Sequence, residues 1–166
     1  MARRRGGGSR RLNAQYTIRA GEPRDVAWIV ELGRRTLADS VSPVRDAAPA
    51  QVSASFDQLM HYALGQSHVL LVAEDALEPL GYVLFLDSLP DEVTGSPQAF
   101  VVYFAVEPSA RRRGVGRRLF EAAEAAARAR GLPYMTFMVT EENLAARELY
   151  AQLGYVTERR QLCKRL

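Results

Sequence analysis

The chain has 166 residues, 48% hydrophobic and 25% charged, which is enough for one domain with a real core and is the balance of an ordinary soluble globular protein. The formal net charge of +3 says little about partners, because the first 15 residues hold five arginines and no acid, leaving 17 basic against 19 acidic residues in the rest. No apolar run approaches the roughly 18 residues of a membrane helix, Gly6–Ser9 stands where a secretion signal needs an apolar stretch, and Cys163 is the single cysteine, so the expectation is a cytoplasmic protein without disulfides.

Residues 1–15 are Arg- and Gly-rich with no apolar face and read as a disordered tail. Charge alone would let that tail touch an acidic surface or nucleic acid, but a solvated tail is the better reading. Residues 16–166 read as a single domain. Tyr16–Arg19 is a short first strand. Glu22-Pro23 opens a helix, with Pro23 near its first position and Val26, Ile29, Val30 and the run Leu32–Leu37 supplying its apolar face. A Pro/Ala-rich connection, residues 40–49, leads to a second helix over Ala50–Leu64, with Val52, Phe56, Leu59, Met60 and Leu64 as the expected buried stripe. His61 and His68 have no cluster of further ligands at metal-binding spacing, so no metal site is expected.

Three strands follow: His68–Glu74, Leu80–Leu86 and Phe100–Val106. Short turns join them, which predicts an antiparallel meander. The last of these is β-branched and aromatic without polar alternation, the pattern of a strand buried on both faces. Pro108 stops it. A basic loop, Arg111-Arg112-Arg113-Gly114-Val115-Gly116, then enters a helix whose apolar spacing continues through Leu119, Ala122, Ala123 and Ala126. Strand, glycine loop and helix start form a candidate phosphate cradle: free N–H groups, the positive end of the helix dipole, and arginines. A P-loop is excluded because no lysine follows the glycines, and Leu119 occupies the third glycine position of a dinucleotide fingerprint.

Gly131 and Pro133 end that helix. Tyr134–Val139 is a further strand, expected to lie parallel to Phe100–Val106 after a helical crossover. Asn143 caps a last helix in which Ala146, Leu149, Tyr150 and Leu153 share a face, and Gly154 ends it. Tyr155–Leu166 reads as a final strand or hairpin.

Two stretches together, Arg111-x-x-Gly114-x-Gly116 and Asn143-x-x-Ala146-x-x-x-Tyr150-x-x-x-Gly154-Tyr155, resemble the GCN5-related N-acetyltransferase family. The resemblance covers residues 16–166. It implies an α/β fold with a mixed, mostly antiparallel sheet, a splayed parallel pair at its centre, and helices on both faces. It also implies acetyl-CoA as cosubstrate and a primary amine as acceptor. The pantetheine arm would pair with backbone at Phe104, Ala105 and Val106. The pyrophosphate would meet the backbone from Arg112 to Arg117, through Arg113, Gly114, Val115 and Gly116, and the side chains of Arg111, Arg112, Arg113 and Arg117 are candidate phosphate contacts. Asn143 would touch the cofactor as well as cap its helix. Tyr150 would protonate or hydrogen-bond the departing thiolate, the alternative role being a core tyrosine.

The chain departs from the family pattern at the general base. Phe100 and Met138 stand where some members carry glutamate, so proton loss through ordered water is expected, with Glu107 and Glu141 as spare carboxylates. The acceptor site is expected from the first two helices, their connection, and the loop Asp87–Pro97 with its acids Asp87, Asp91 and Glu92. A non-catalytic acyl-CoA-binding domain is the alternative reading. A homodimer is common in the family, and the sequence leaves the oligomeric state open.

Overall fold

The computed structural model describes residues 16–76 and 78–166; the Arg-rich tail expected over 1–15 lies outside the described residues. The apolar runs of the middle of the chain become the sheet. Its strands are β1 (Thr17–Ala20), β2 (His68–Asp75), β3 (Glu78–Leu86), β4 (Gln98–Val106) and β5 (Tyr134–Thr136). They lie in the order β1-β2-β3-β4-β5. The first four pair antiparallel, and β4 pairs β5 parallel. The expected meander and parallel pair are therefore present.

Among the described residues four α-helices flank the sheet: α1 (Val26–Thr36), α2 (Pro49–Leu64), α3 (Val115–Ala129) and α4 (Leu144–Gln152). On one face, Val115, Leu119, Phe120, Ala123 and Ala127 of α3 pack on Val69, Val83, Phe85 and Val101. On the other, Ile29 and Leu32 of α1 and Phe56, Met60 and Ala63 of α2 pack on Val72, Tyr82, Leu84 and Ala105. The two faces explain why β3 and β4 are mostly apolar: most of their residues meet a helix layer whichever way they point. Trp28 packs its ring edge-on to Tyr82 at 6.0 Å. Gly33 brings α1 close to α2, since a Cβ there would stand 2.1 Å from the Phe56 ring.

Arg19 ties β1 to the start of α1. Its guanidinium makes two bonds to Asp25, at 2.7 and 2.9 Å, and its Nε donates to Glu74 at 2.9 Å. Asp25 also accepts from the Glu22 N–H at 2.7 Å.

Four expectations change. Leu59 is 42% exposed, and Ala63 takes its place in the buried stripe, since the α2 face follows Phe56, Met60 and Ala63 at steps of four and three. The strand expected over Tyr134–Val139 ends at Thr136. Tyr155–Leu166 forms no strand. Its run of Glu158, Arg159 and Arg160 offers no apolar face, and ion pairs hold it instead, Arg159 to Asp91 and Glu92 and Arg165 to Asp46. As a consequence β5 is an edge strand, and the parallel pair sits at one side of the sheet rather than at its centre.

Candidate functional site

β4 and β5 run together only over Gln98–Phe100 and Tyr134–Thr136. A hydrogen bond from Thr136 Oγ1 to Gln98 Oε1, 2.9 Å, pins the paired end. From Val101 to Val106 the β5 side of β4 has no strand partner among the described residues. Its backbone groups on that edge are open to another hydrogen-bonding chain. Phe104, Ala105 and Val106 all fall on this stretch.

A short turn and the arginine loop connect the same stretch to the start of α3. The last sheet bond is Glu107 N–H to the Leu80 carbonyl at 2.8 Å, and Pro108 opens a short turn. Arg112 then has φ +61 and Gly114 φ +83, both left-handed. Only glycine takes that conformation without strain. Among the described residues no side chain caps α3, so the first-turn N–H groups of Val115, Gly116 and Arg117 can meet an outside acceptor. Gly116 has a different use: a Cβ there would lie 3.0 Å from the Phe104 ring and 3.3 Å from Leu149, so its smallness seats α3 between β4 and α4.

The arginines diverge. Arg111 reaches the Val106 carbonyl at 3.4 Å and Asp39 at 3.3 Å. Arg113 turns back to Asp75 at 3.6 Å. Arg117 bonds Gln152 on α4 at 3.1 Å. Arg112 is exposed and makes no ion pair among the described residues.

Asn143 caps α4 by accepting from the Ala146 N–H at 3.1 Å, which fixes its amide so that Nδ2 points to the Asp39 carbonyl, also 3.1 Å. Tyr150 sits two turns further on. Its ring packs 4.3 Å from Phe137, 5.2 Å from Phe120 and 6.2 Å from Tyr155, and Phe120 in turn meets Phe104 at 5.0 Å. Burial pushes the Tyr150 phenol up to about 12, so it keeps its proton at neutral pH. Phe104, Gly116 and Tyr150 are thus gathered beneath the splay, Arg111 and Asn143 at its mouth, while Arg113 stands apart.

The spare carboxylates are engaged. Glu107 takes two bonds from Arg35, at 2.7 and 3.0 Å, which hold it below the usual carboxylate range and make it a weak proton acceptor. Glu141 is exposed and pairs with Arg147. Each acid of the Asp87–Pro97 loop faces an arginine: Asp87 meets Arg130, and Asp91 and Glu92 meet Arg159. An open depression of about 390 Å³ lies between the α1–α2 connection and the start of α4, with Ala38, Asp39, Val41, Thr140, Asn143 and Leu144 among its lining residues. No residue of that loop lines it.

Sequence reasoning missed Asp39, Thr140 and Phe120. Phe120 lay within the helical period and could have been read as its largest apolar residue. The α1–α2 connection carried no such signal.

Solved structures share this fold. A candidate acetyl transferase from Pyrococcus furiosus superposes with a TM-score of 0.79 at 25% identity, over 92% of this chain and all of that one. A ribosomal-protein-alanine N-acetyltransferase from Brucella melitensis has a TM-score of 0.65 at 20% identity, over 91% of this chain and 99% of its own. AAC(6')-Iy, solved with a CoA-based bisubstrate analogue, has a TM-score of 0.64 at 19% identity, over 92% of this chain and 99% of its own. The fold is therefore that of acetyltransferases. No curated protein matches the chain. Residues 38–155 match the Acetyltransferase (GNAT) family, and the chain belongs to it.

Proposed function

We propose that this chain is an N-acetyltransferase that moves an acetyl group from acetyl-CoA to a primary amine of a small molecule, peptide or protein by direct attack. One observation carries the reading. The unpartnered edge of β4 is followed, after the short turn at Pro108–Ala110 and the arginine loop, by an uncapped helix start flanked by Arg111, Arg112 and Arg117. An extended ligand with amides at one end and phosphates at the other fits both halves: Phe104, Ala105 and Val106 offer backbone to the amides, and the N–H groups of Val115, Gly116 and Arg117 meet the phosphates. Asn143 adds its amide at the mouth.

The thioester supplies an activated acyl carbon. The amine nitrogen forms the new C–N bond, the C–S bond breaks, and the electron pair leaves on sulfur. Backbone N–H groups on the β4 edge polarise the carbonyl. Tyr150 remains protonated and donates a hydrogen bond to the departing sulfur. No carboxylate takes the amine proton in this reading; ordered water carries it out.

Thermal unfolding with and without acetyl-CoA tests the reading. At a hundredfold excess over Kd, a ligand that binds only the native state adds about 2.7 kcal/mol. For a domain of this size that is a rise of roughly 5–10 °C. Arg112→Glu, an exposed change, should remove most of the rise without lowering the ligand-free midpoint. No rise with acetyl-CoA or longer acyl-CoAs would overturn the proposal. A rise without free thiol release over a broad amine panel would leave a binding domain and overturn the catalytic part.

A further inference from the structure

The turn after α1, Leu37–Ser40, closes over two of the residues assigned above to the cofactor. The Asp39 carbonyl accepts from Thr140 Oγ1 and from Asn143 Nδ2, each at 3.1 Å. Its carboxylate accepts from Arg111 Nη2 at 3.3 Å. Arg111 also leans on the Val106 carbonyl at the end of β4. One residue therefore joins both lips of the splay, β4 through Arg111 and the start of α4 through Asn143.

We propose that Asp39 is an internal competitor for the cofactor, a latch that holds Arg111 and Asn143 until acetyl-CoA displaces it. The inference rests on the cofactor reading above and adds a residue that sets affinity. The physical reasons are separate for the two halves. A phosphate arriving at Arg111 would share one guanidinium with the Asp39 carboxylate, and two anions on one cation repel. Asn143 cannot flip to free its amide, because its oxygen is held by the Ala146 N–H. Both groups become available when the Asp39 turn moves. That movement also opens the wall of the adjoining depression, since Ala38, Asp39 and Val41 line it. Cofactor binding and access to the depression are thereby coupled through one turn.

The size of the effect follows from exposure. The Arg111 and Asp39 side chains are 48% and 54% exposed, so their pair is a surface one. Surface pairs of this kind correspond to about a two- to fivefold change in an equilibrium constant.

The test is calorimetric titration of acetyl-CoA into the wild type, Asp39→Asn, Arg111→Ala and the double variant, at low salt and at about 0.5 M salt. Hydrogen exchange over residues 37–42 is measured without ligand in parallel. Asp39→Asn keeps the backbone carbonyl and severs only the ionic half. The expected result is a Kd about two- to fivefold lower than wild type at low salt, a smaller gain at high salt, no gain in the Arg111→Ala background, and faster exchange over the turn. Unchanged or weaker binding by Asp39→Asn, with the wild type binding normally, would overturn the latch alone. An equal gain in the Arg111→Ala background would also overturn it, since the effect would then be general charge. A wild type that binds no acyl-CoA would overturn the cofactor reading and the latch together.

Discussion

Removing one oxygen from Tyr150 separates its two roles. The phenol stands at about 12 through burial alone. A thiol of the CoA type lies near 8.5. Moving the proton fully from phenol to thiolate would thus run uphill by about 3.5 units, or roughly 5 kcal/mol. Under the proposed mechanism the hydroxyl would therefore act as a hydrogen-bond donor to sulfur as charge builds there, not as a donor that ends the step deprotonated. A hydrogen bond to a charged group is worth about 1.5–3 kcal/mol. Tyr150→Phe should then lower kcat about 10- to 100-fold. The ring contacts with Phe137 and Phe120 survive the change, so stability and acetyl-CoA affinity should hold. The assay is free-thiol release at saturating amine, with Kd by titration and the pH profile of kcat from pH 6 to 10. The wild type and the variant should show the same alkaline behaviour, because Tyr150 does not titrate in that window. Turnover within twofold of wild type would refute the assigned role. A fall beyond about 10⁴-fold would refute the hydrogen-bond limit and restore full proton transfer.

Other changes test the frame around the site. The Arg19 guanidinium holds Asp25 below its usual 3.8, so the stability Asp25 contributes is present above that value and lost as pH falls through the folded value; the wild-type midpoint should fall steeply below about pH 4, and Asp25→Asn should start lower at pH 7 and fall less. A parallel slope in the variant would show that Asp25 is not the group responsible. The Tyr82 hydroxyl is buried without a partner among the described residues. Tyr82→Phe should therefore stabilise the fold, by about 1 kcal/mol or 2–4 °C, and a lower midpoint would contradict the orphaned hydroxyl. Glu107→Gln should keep kcat within about threefold, where loss of a true base would cost at least a hundredfold; the larger loss would return Glu107 to the mechanism.

Much of this molecule was readable from local chemistry. Asn143 had the short polar side chain of a cap, and it caps α4. Gly114 stood between an extended loop and a helical period, and it takes a left-handed φ. The apolar runs at residues 69–72 and 100–106 could only be covered strands. Long-range electrostatics were not readable. Nothing in the order of residues places Asp39 against Arg111, or Arg35 against Glu107, each pair 72 residues apart. The end of the chain failed for a related reason: Tyr155–Leu166 contains enough apolar residues to suggest a strand, while Arg159 and Arg165 find acids that the sequence could not position.

The least visible feature is the one that makes the cleft. The register of β3 on β4 passes from Leu84–Tyr103 to Phe85–Val101, so Val102 is an extra residue, a bulge. It lies two positions beyond Phe100, where pairing with β5 ends. A bulge bends its strand and sharpens the twist, so β4 leaves the direction β5 would follow at the level where the two separate. It also resets the alternation. Ala99 and Val101 face α3, and a regular strand would continue with Tyr103 and Ala105. After the bulge Phe104 and Val106 take that face instead, and Tyr103 and Ala105 turn to α1 and α2. Phe104 thereby meets Phe120 and Gly116, below the open edge. Tyr103 is left to bond the Gly33 carbonyl and to share a hydrogen bond with the Thr36 hydroxyl, each at 3.3 Å. One inserted residue accounts for the gap, for the aromatic floor beneath it, and for the anchoring of α1 whose following turn carries Asp39.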